Sequence, residues 1–428
     1  MASTEERFEI EQYFDRLWPL NRSITGDGVR KSHDIIGELV NMERFEIPSG
    51  TQVFDWTVPP EWKVNDAYII SPDGERILDV NDNNLHLMSY SEPFNGTLSL
   101  EELQKHLYSI PDQPEWIPYR TSYYKRNWGF CLPDKLRRSL RKGQYRVAVD
   151  TSFNEGGSLT LSEAILPGET SREILFTSYT CHPSMAINEL SGPLVTAFLY
   201  RRIASWPSRK YTYRFLFGPE SIGALCYLGM RGEQLKSHLD AGFVVTCVGD
   251  NGAYRLKRSK RGNTVADRAA EYVLAQSGLN HKVVDFNPSG SDERQYCSLG
   301  FNLPVSSISR SVYGEYPQYH TSADNKDLID FKSMVETIDF YESLAKVIDC
   351  NKSVRNKIVF GEPQLSKHCE IYPSVNQGFP GEEAMAVKWL IHFADGETDL
   401  LGIAQRSGID IAIPGAAAEK LIEVGLFE

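Results

Sequence analysis

The sequence predicts an α/β protein: a mixed, largely parallel sheet flanked by helices, interrupted early by a β-rich insertion and followed by a small winged-helix-like unit. Three observations predict it. After Tyr145, short apolar strand-like runs alternate with helical ones, the pattern of buried strands joined by helices. Between about Ile47 and Pro133 the texture is instead alternating and rich in Val, Ile and Trp. From Met385 to Glu428 the order is helix, Gly396, helix, Gly408, Pro414, helix, the rhythm of a helix-turn-helix. The implied division is a core over 1–46 and 134–352, an insertion over 47–133 and a C-terminal unit over 353–428.

Taken in order, the N-terminal segment is helical by the spacing of Phe8, Tyr13, Phe14 and Leu17, then of Ile35, Ile36, Leu39 and Val40. The glycines of "NRSITGDGVRK" put a turn between the two. In the insertion, Pro72-Asp73-Gly74 marks a turn between strands, and Ser99 with Glu102 forms a capping box that starts a short helix. The core strands are "EILFTSY", "YTYRFLF", "AGFVVTCVG" and "LPVSSIS". Helices follow in "GPLVTAFLYRRIASW", "IGALCYLGM" and "NTVADRAAEYVLAQSG", and a long one runs from Asp327 to about Ile348. The short basic loop "RLKRSKRG" reads as a solvated hairpin.

Composition sets the boundaries of function. With 41% hydrophobic and 24% charged residues, the 428-residue chain can bury a sizeable core. Its net charge of −12 argues against a nucleic-acid track or an anionic membrane surface as partner. The charged start "MASTEERFEIEQYF" lacks the apolar stretch of a signal peptide, and no apolar run approaches a membrane span. Seven scattered cysteines suit a reduced cytoplasm better than a disulfide framework. In the tail from Glu382, three basic residues face nine acidic ones. A DNA-reading helix should be basic, so this unit is expected to pack or to mediate a homo-oligomer.

Polar groups able to bind metal follow each of four strand candidates. His182 and Glu189 come after the first, Glu220 after the second, Asp250 after the third, and Glu315 and His320 after the fourth. Ligands gather at the carboxyl edge of such sheets. Two imidazoles with carboxylates are the donor set of a catalytic zinc that keeps a position open for water. Each residue also has a plainer reading: His182 as a hydrogen-bonded loop residue, Glu189 as a carboxylate favoured by a helix N-terminus. Pro183 disfavours helix at His182, so the turn "PSMAINEL" is expected to bring Glu189 back beside the imidazole before Ser191-Gly192 starts a helix.

This order, with the late "HTSADN", resembles the co-catalytic zinc aminopeptidase superfamily. The resemblance is closer to an aminopeptidase-like family often found among polysaccharide and natural-product biosynthesis genes. It is carried by "NRSITGDGVR", "SGTQVFDW", "YYKRNWGFCL", "CHPSMA", "ELSGP", "GSDERQYC" and "YGEYPQYHTSADN" and covers residues 8–428. It implies a zinc-peptidase core, a β-rich insertion and a winged-helix-like tail. Where the superfamily has a metal-bridging aspartate, three residues before the serine of Ser-Gly, this chain has Asn188. Where it has a Glu-Glu pair, this chain has Pro219-Glu220-Ser221. An asparagine lacks the charge that offsets two cations, so the expectation is one zinc, held by His182, His320 and one or two of Glu189, Glu220 and Asp250.

The resulting expectation is hydrolysis of an amide in a small peptide-like or aminoacyl substrate. Glu220 or Glu315 would be the general base and Tyr319 an oxyanion donor. Asp292 and Arg294 would orient a substrate terminus or form a structural ion pair. Tyr124 and Trp128 would overhang the site from the insertion or form the insertion's own core. The alternative class is a silent metal- or ligand-binding relative, motivated by Asn188 and the single carboxylate of Glu220.

Overall fold

The structure, a computed structural model, describes residues 2–368 and 381–428. The N-terminal apolar spacing produces α1 (Ala2–Leu17) and α2 (Asp27–Ile36), whose Ile10, Phe14, Leu17 and Val29 are fully buried. Between them Gly26 takes φ 98°, and any side chain there would meet Trp62 O at 2.6 Å. Strand β1 (Glu43–Pro48) follows, and the chain then leaves for the insertion.

The insertion contains β2 (Gln52–Val53), β3 (Trp56–Thr57), β4 (Glu61–Ile70), β5 (Arg76–Asp79), β6 (Phe94–Ser99), α3 (Leu100–Leu103), β7 (Leu107–Tyr108), β8 (Phe130–Cys131), α4 (Asp134–Ser139) and β9 (Gln144–Asn154). Four of these strands make a sheet of order β5-β4-β9-β6. The capping box forms: Glu102 N donates to Ser99 Oγ at 3.3 Å, and Ser99 N donates to Glu102 Oε2 at 3.0 Å. The insertion's sheet takes in a strand beyond residue 133. β9 pairs antiparallel with both β4 and β6, so the insertion runs on to about 157. β9 alternates buried and exposed residues, the period of a one-sided sheet, unlike the wholly buried core strands Glu173–Tyr179 and Val305–Ser309.

The core resumes with β10 (Ser158–Leu166), β11 (Glu173–Tyr179), α5 (Ser191–Ala204), β12 (Thr212–Gly218), α6 (Ile222–His238), β13 (Leu239–Val245), β14 (Tyr254–Lys257), α7 (Val265–Ser277), β15 (His281–Val284), α8 (Glu293–Tyr296), β16 (Val305–Ser309) and α9 (Phe331–Cys350). The sheet has eight strands in the order β1-β10-β12-β11-β13-β16-β14-β15. Its centre, β12-β11-β13-β16, is parallel, whereas β10 on one side and β14 with β15 on the other run antiparallel to it, and β1 pairs antiparallel with β10. Every residue of β11 is buried, as a central strand covered on both faces requires. The carboxyl ends of the four parallel strands therefore open on one edge.

In the tail, β17 (Ser353–Arg355) pairs with β18 (Asp395–Asp399), alongside α10 (Glu382–Phe393), α11 (Leu400–Ser407) and α12 (Ala412–Glu423). Asp399 caps α11 through Gly402 N at 2.9 Å and also pairs with Arg268 of α7. Leu390, Leu400 and Leu421 join the same apolar core as α5, α7 and α9. Against the other face of the sheet, a second core merges Trp62, Ile69 and Val147 of the insertion with Leu161, Leu175 and Leu216 of the sheet and Leu228 of α6. The six described cysteines are free thiols; Cys369 lies outside the described residues. Among the described residues no helix is long and apolar enough to cross a membrane.

Candidate functional site

β11 ends at Tyr179, and the next turn carries His182, 5% exposed, to the sheet edge. The chain then enters a π turn, Ala186–Leu190, that runs directly into α5. Such turns splay neighbouring side chains apart. Glu189 points to His182, with Oε2 2.6 Å from Nδ1. Asn188 points the other way, donating from Nδ2 to Tyr179 OH at 3.0 Å. The helix-start role open to Glu189 belongs to Asp324, which accepts from Ile187 N at 2.7 Å and Asn188 N at 3.0 Å. Ser191 and Gly192 lock α5 to the sheet. Ser191 Oγ donates to Ile187 O at 2.6 Å and accepts from Val248 N at 3.1 Å, while a Cβ at Gly192 would meet Val245 O at 2.4 Å.

β12 delivers Glu220 to the opposite side of the same imidazole. Its Oε2 stands 3.7 Å from His182 Nε2, and Ser291 Oγ donates to its Oε1 at 2.8 Å. Asp292 is buried beside it and accepts from Ser221 N at 2.6 Å. Burial raises Glu220 above the usual carboxylate range, and burial together with the charge of Glu220 raises Asp292 well above it. His320 arrives from the loop after β16, its ring centroid 5.3 Å from that of His182. Burial and the neighbouring His182 pull His320 down to about 3, so it is a neutral imidazole. Its Nε2 is buried with no protein partner, as is Glu189 Oε1. Ser184, Ser221, Cys247 and His320, all in loops of this edge, take positive φ from 46° to 61°. Backbone held in this region by surrounding structure clusters at functional sites.

Two of these donors, His182 Nε2 and Glu220 Oε2, are spaced as two ligands of one cation would be, and His320 adds an imidazole beside them. Two ligands of a tetrahedral zinc stand about 3.3 Å apart, from bonds of about 2.0–2.1 Å. The His182 Nε2–Glu220 separation is near that value, and the unpartnered His320 nitrogen lies in the neighbouring ring. Among the described residues, Cys181, His182 and Glu189 also cluster with ligand atoms within 4.8 Å of one another. There, however, the His182–Glu189 contact of 2.6 Å is a hydrogen bond too short to span an ion. Burial also raises the Cys181 thiol to about 11, which leaves it a neutral acceptor for Glu220 N at 3.3 Å rather than a nucleophile.

The structure thus brings together His182, Glu189, Glu220, His320, Asp292 and, through Ser291 O, Arg294. Tyr319 lies flat on His320 at 3.9 Å. Other predicted residues are engaged elsewhere. Glu315 forms an exposed ion pair with Arg255 at 2.6 and 2.8 Å. Asp250 closes its own turn, accepting from Gly252 N at 3.2 Å and from Ser311 Oγ. Trp128 is buried in the insertion, stacked on Phe94 and His106. Tyr124 is exposed and packs on Trp56.

From the insertion, Tyr119 reaches the site, 5.3 Å from His182 and 5.2 Å from His320, its hydroxyl 2.7 Å from that of Tyr123. Tyr119 N also donates to His320 O at 2.8 Å. Arg22, fully buried, donates from Nε to His182 O at 3.0 Å. Neither was read from sequence. Arg22 sits within the distinctive "NRSITGDGVR", which was the available signal; Tyr119 had none.

A family described as "Domain of unknown function (DUF4910)" matches residues 11–351, and one described as "winged helix-turn-helix" matches residues 352–428. Over 428 residues the chain is 43% identical to a Clostridium acetobutylicum protein named "Putative polysaccharide biosynthesis protein with aminopeptidase-like domain", covering 100% of this chain and 97% of that one. A crystal structure from the same organism, of a "putative peptidase", superposes with a TM-score of 0.90 at 42% identity, over 100% and 97% of the two chains. The zinc aminopeptidase BSAP of Bacillus subtilis superposes with a TM-score of 0.58 at 13% identity, over 80% and 93%, a likeness of fold alone. The fold is therefore aminopeptidase-like with a C-terminal winged helix, and the chain belongs to the DUF4910 family.

Proposed function

We propose that the chain is a metal-dependent hydrolase that cleaves an amide bond in a small peptide-like or aminoacyl substrate, with one zinc held by His182, His320 and Glu220. The observation that carries this reading is the buried, neutral His320, whose Nε2 has no partner, in the ring beside the His182–Glu220 contact. A bound zinc would polarise the amide carbonyl and acidify a water.

The chain supplies the rest. Glu189 accepts the Nδ1 proton of His182, fixing the tautomer that leaves Nε2 as the lone-pair donor. Arg22 holds the backbone of the same residue. Asp292, facing Glu220, gains room to ionise once the charge of Glu220 is matched. It then takes the proton of the attacking water and returns it to the leaving amine. Tyr319 offers an O–H to the developing oxyanion. Tyr119 closes the insertion side against bulk water and limits the site to small substrates. The acidic tail is a packing element without a nucleic-acid role.

The test is metal content of the purified protein, with turnover of a panel of aminoacyl amides with and without chelator. We expect about one zinc per chain, lost in His182→Ala and His320→Ala, with activity abolished by chelator and restored by zinc. Glu189→Gln should weaken zinc binding ~10–100-fold, the usual effect of removing a partner of a ligating histidine. Full occupancy in the double histidine variant, or turnover indifferent to chelator, would overturn the reading.

A further inference from the structure

Four charged side chains line the wall made by the end of β12 and residues 289–294, and three have a dedicated partner. Glu220 accepts from Ser291 Oγ at 2.8 Å, Asp292 from Ser221 N at 2.6 Å, and Glu293 is paired with Lys257 at 2.7 Å, both buried. The fourth, Arg294, donates from Nε to Ser291 O at 3.0 Å, and among the described residues no carboxylate pairs with its guanidinium. Several arginines of the neighbouring elements are paired instead. Arg255, Arg258 and Arg268 each hold one or two carboxylates, in a chain with 57 acidic residues against 45 basic ones.

The loop that carries Arg294 is tightly built. At Gly290, φ 125°, a Cβ would meet both Glu293 Oε1 and Tyr313 Oη at 2.3 Å. Ser291 ties two functions together, its hydroxyl on Glu220 and its carbonyl on Arg294, so the guanidinium and the Glu220 carboxylate are anchored to the same residue. Its charge reaches both acids, favouring the ionised forms of Glu220 and Asp292. Arginine is permanently charged, and its two terminal nitrogens match a carboxylate in a planar fork.

We propose that Arg294 binds a carboxylate of the substrate, so that the amide cleaved belongs to an N-acyl amino acid or a short peptide whose free carboxylate lies one residue from the scissile bond. This rests on the hydrolase reading above and narrows it. The substrate is recognised by an anion on the leaving-amine side, and a free amino terminus is not required. Asp292 remains available for the proton.

The experiment uses the full chain loaded with zinc. Binding of N-acetylalanine and of N-acetylalaninamide is measured by calorimetry, and hydrolysis of the same pair is followed separately. The parent should bind the acid at least ~10-fold more tightly than the amide. Arg294→Ala should abolish that preference, raising KM for the acid far more than it lowers kcat. Arg294→Lys should recover part of it, since a point charge replaces the fork. Thermal melts establish that both variants are folded. Equal binding of acid and amide by the parent, or a preference that survives in folded Arg294→Ala, would overturn the proposal. A carboxylate preference in binding without any turnover would support this site while removing the hydrolase reading; turnover that favours the amide would remove this site alone.

Discussion

A buried histidine with no charged partner makes stability depend on pH in a fixed direction, and His33 of α2 is such a residue. It is fully buried between Ser162 Oγ and Thr180 Oγ1, each 2.8 Å from a ring nitrogen, and burial pulls it down to about 3. Between pH 6.5 and 3 the unfolded chain binds the proton and the folded chain does not. The stabilisation is therefore complete above about pH 6.5 and is lost as pH falls, at up to about 1.4 kcal/mol per pH unit. In His33→Gln, urea-derived stability should fall less steeply between pH 6 and 4 than in the parent; identical slopes would mean that His33 protonates within the fold. Other single residues differed in how far the sequence revealed them. His182, Glu189, Glu220 and His320 were legible because each follows an apolar strand run. Asp324 and Tyr119 were not, because their roles arise from contacts across 136 and 201 residues that no local pattern marks.

At the scale of elements, the central strands were readable almost to the residue. "EILFTSY" is β11 itself, since a strand buried on both faces carries a short mostly apolar run, and its polar residues find partners, as Glu173 does in Arg214. β9 went unread as a strand: alternation marks a one-sided strand but does not name the partner it pairs with, here β4 and β6 of the insertion. The π turn before α5 was likewise invisible, although Ser191-Gly192 marked its end. That glycine is a steric requirement. In Gly192→Ala the new methyl would lie 2.4 Å from Val245 O and 2.5 Å from Ser178 Oγ, both parts of the rigid sheet edge. We expect a loss of about 1–3 kcal/mol of stability and a weaker metal site, measured by denaturant unfolding and zinc competition. A variant as stable as the parent would show that α5 can shift freely along the sheet.

Across the whole molecule, three textures in the sequence do not make three independent bodies. The insertion shares one apolar core with the sheet and α6, and the tail shares the other with α7 and α9. Trp62 and Trp128 lie buried in the insertion, 5% and 8% exposed, and once Trp18, Trp206 and Trp389 are replaced by Phe the four remaining tryptophans all lie in that part. The urea transition of that variant followed by tryptophan fluorescence should coincide with that followed by far-UV circular dichroism, whereas an earlier fluorescence transition would show an insertion that unfolds separately. The mutual dependence extends to the site. Residues 117–119 of the insertion run beside 320–322: Tyr119 N donates to His320 O and Ser322 N to Ile117 O, each at 2.8 Å. These bonds hold His320 at φ 56°. The loop that carries the candidate donor histidine is thus braced from the insertion rather than from the sheet it follows, and excising the insertion would remove that brace.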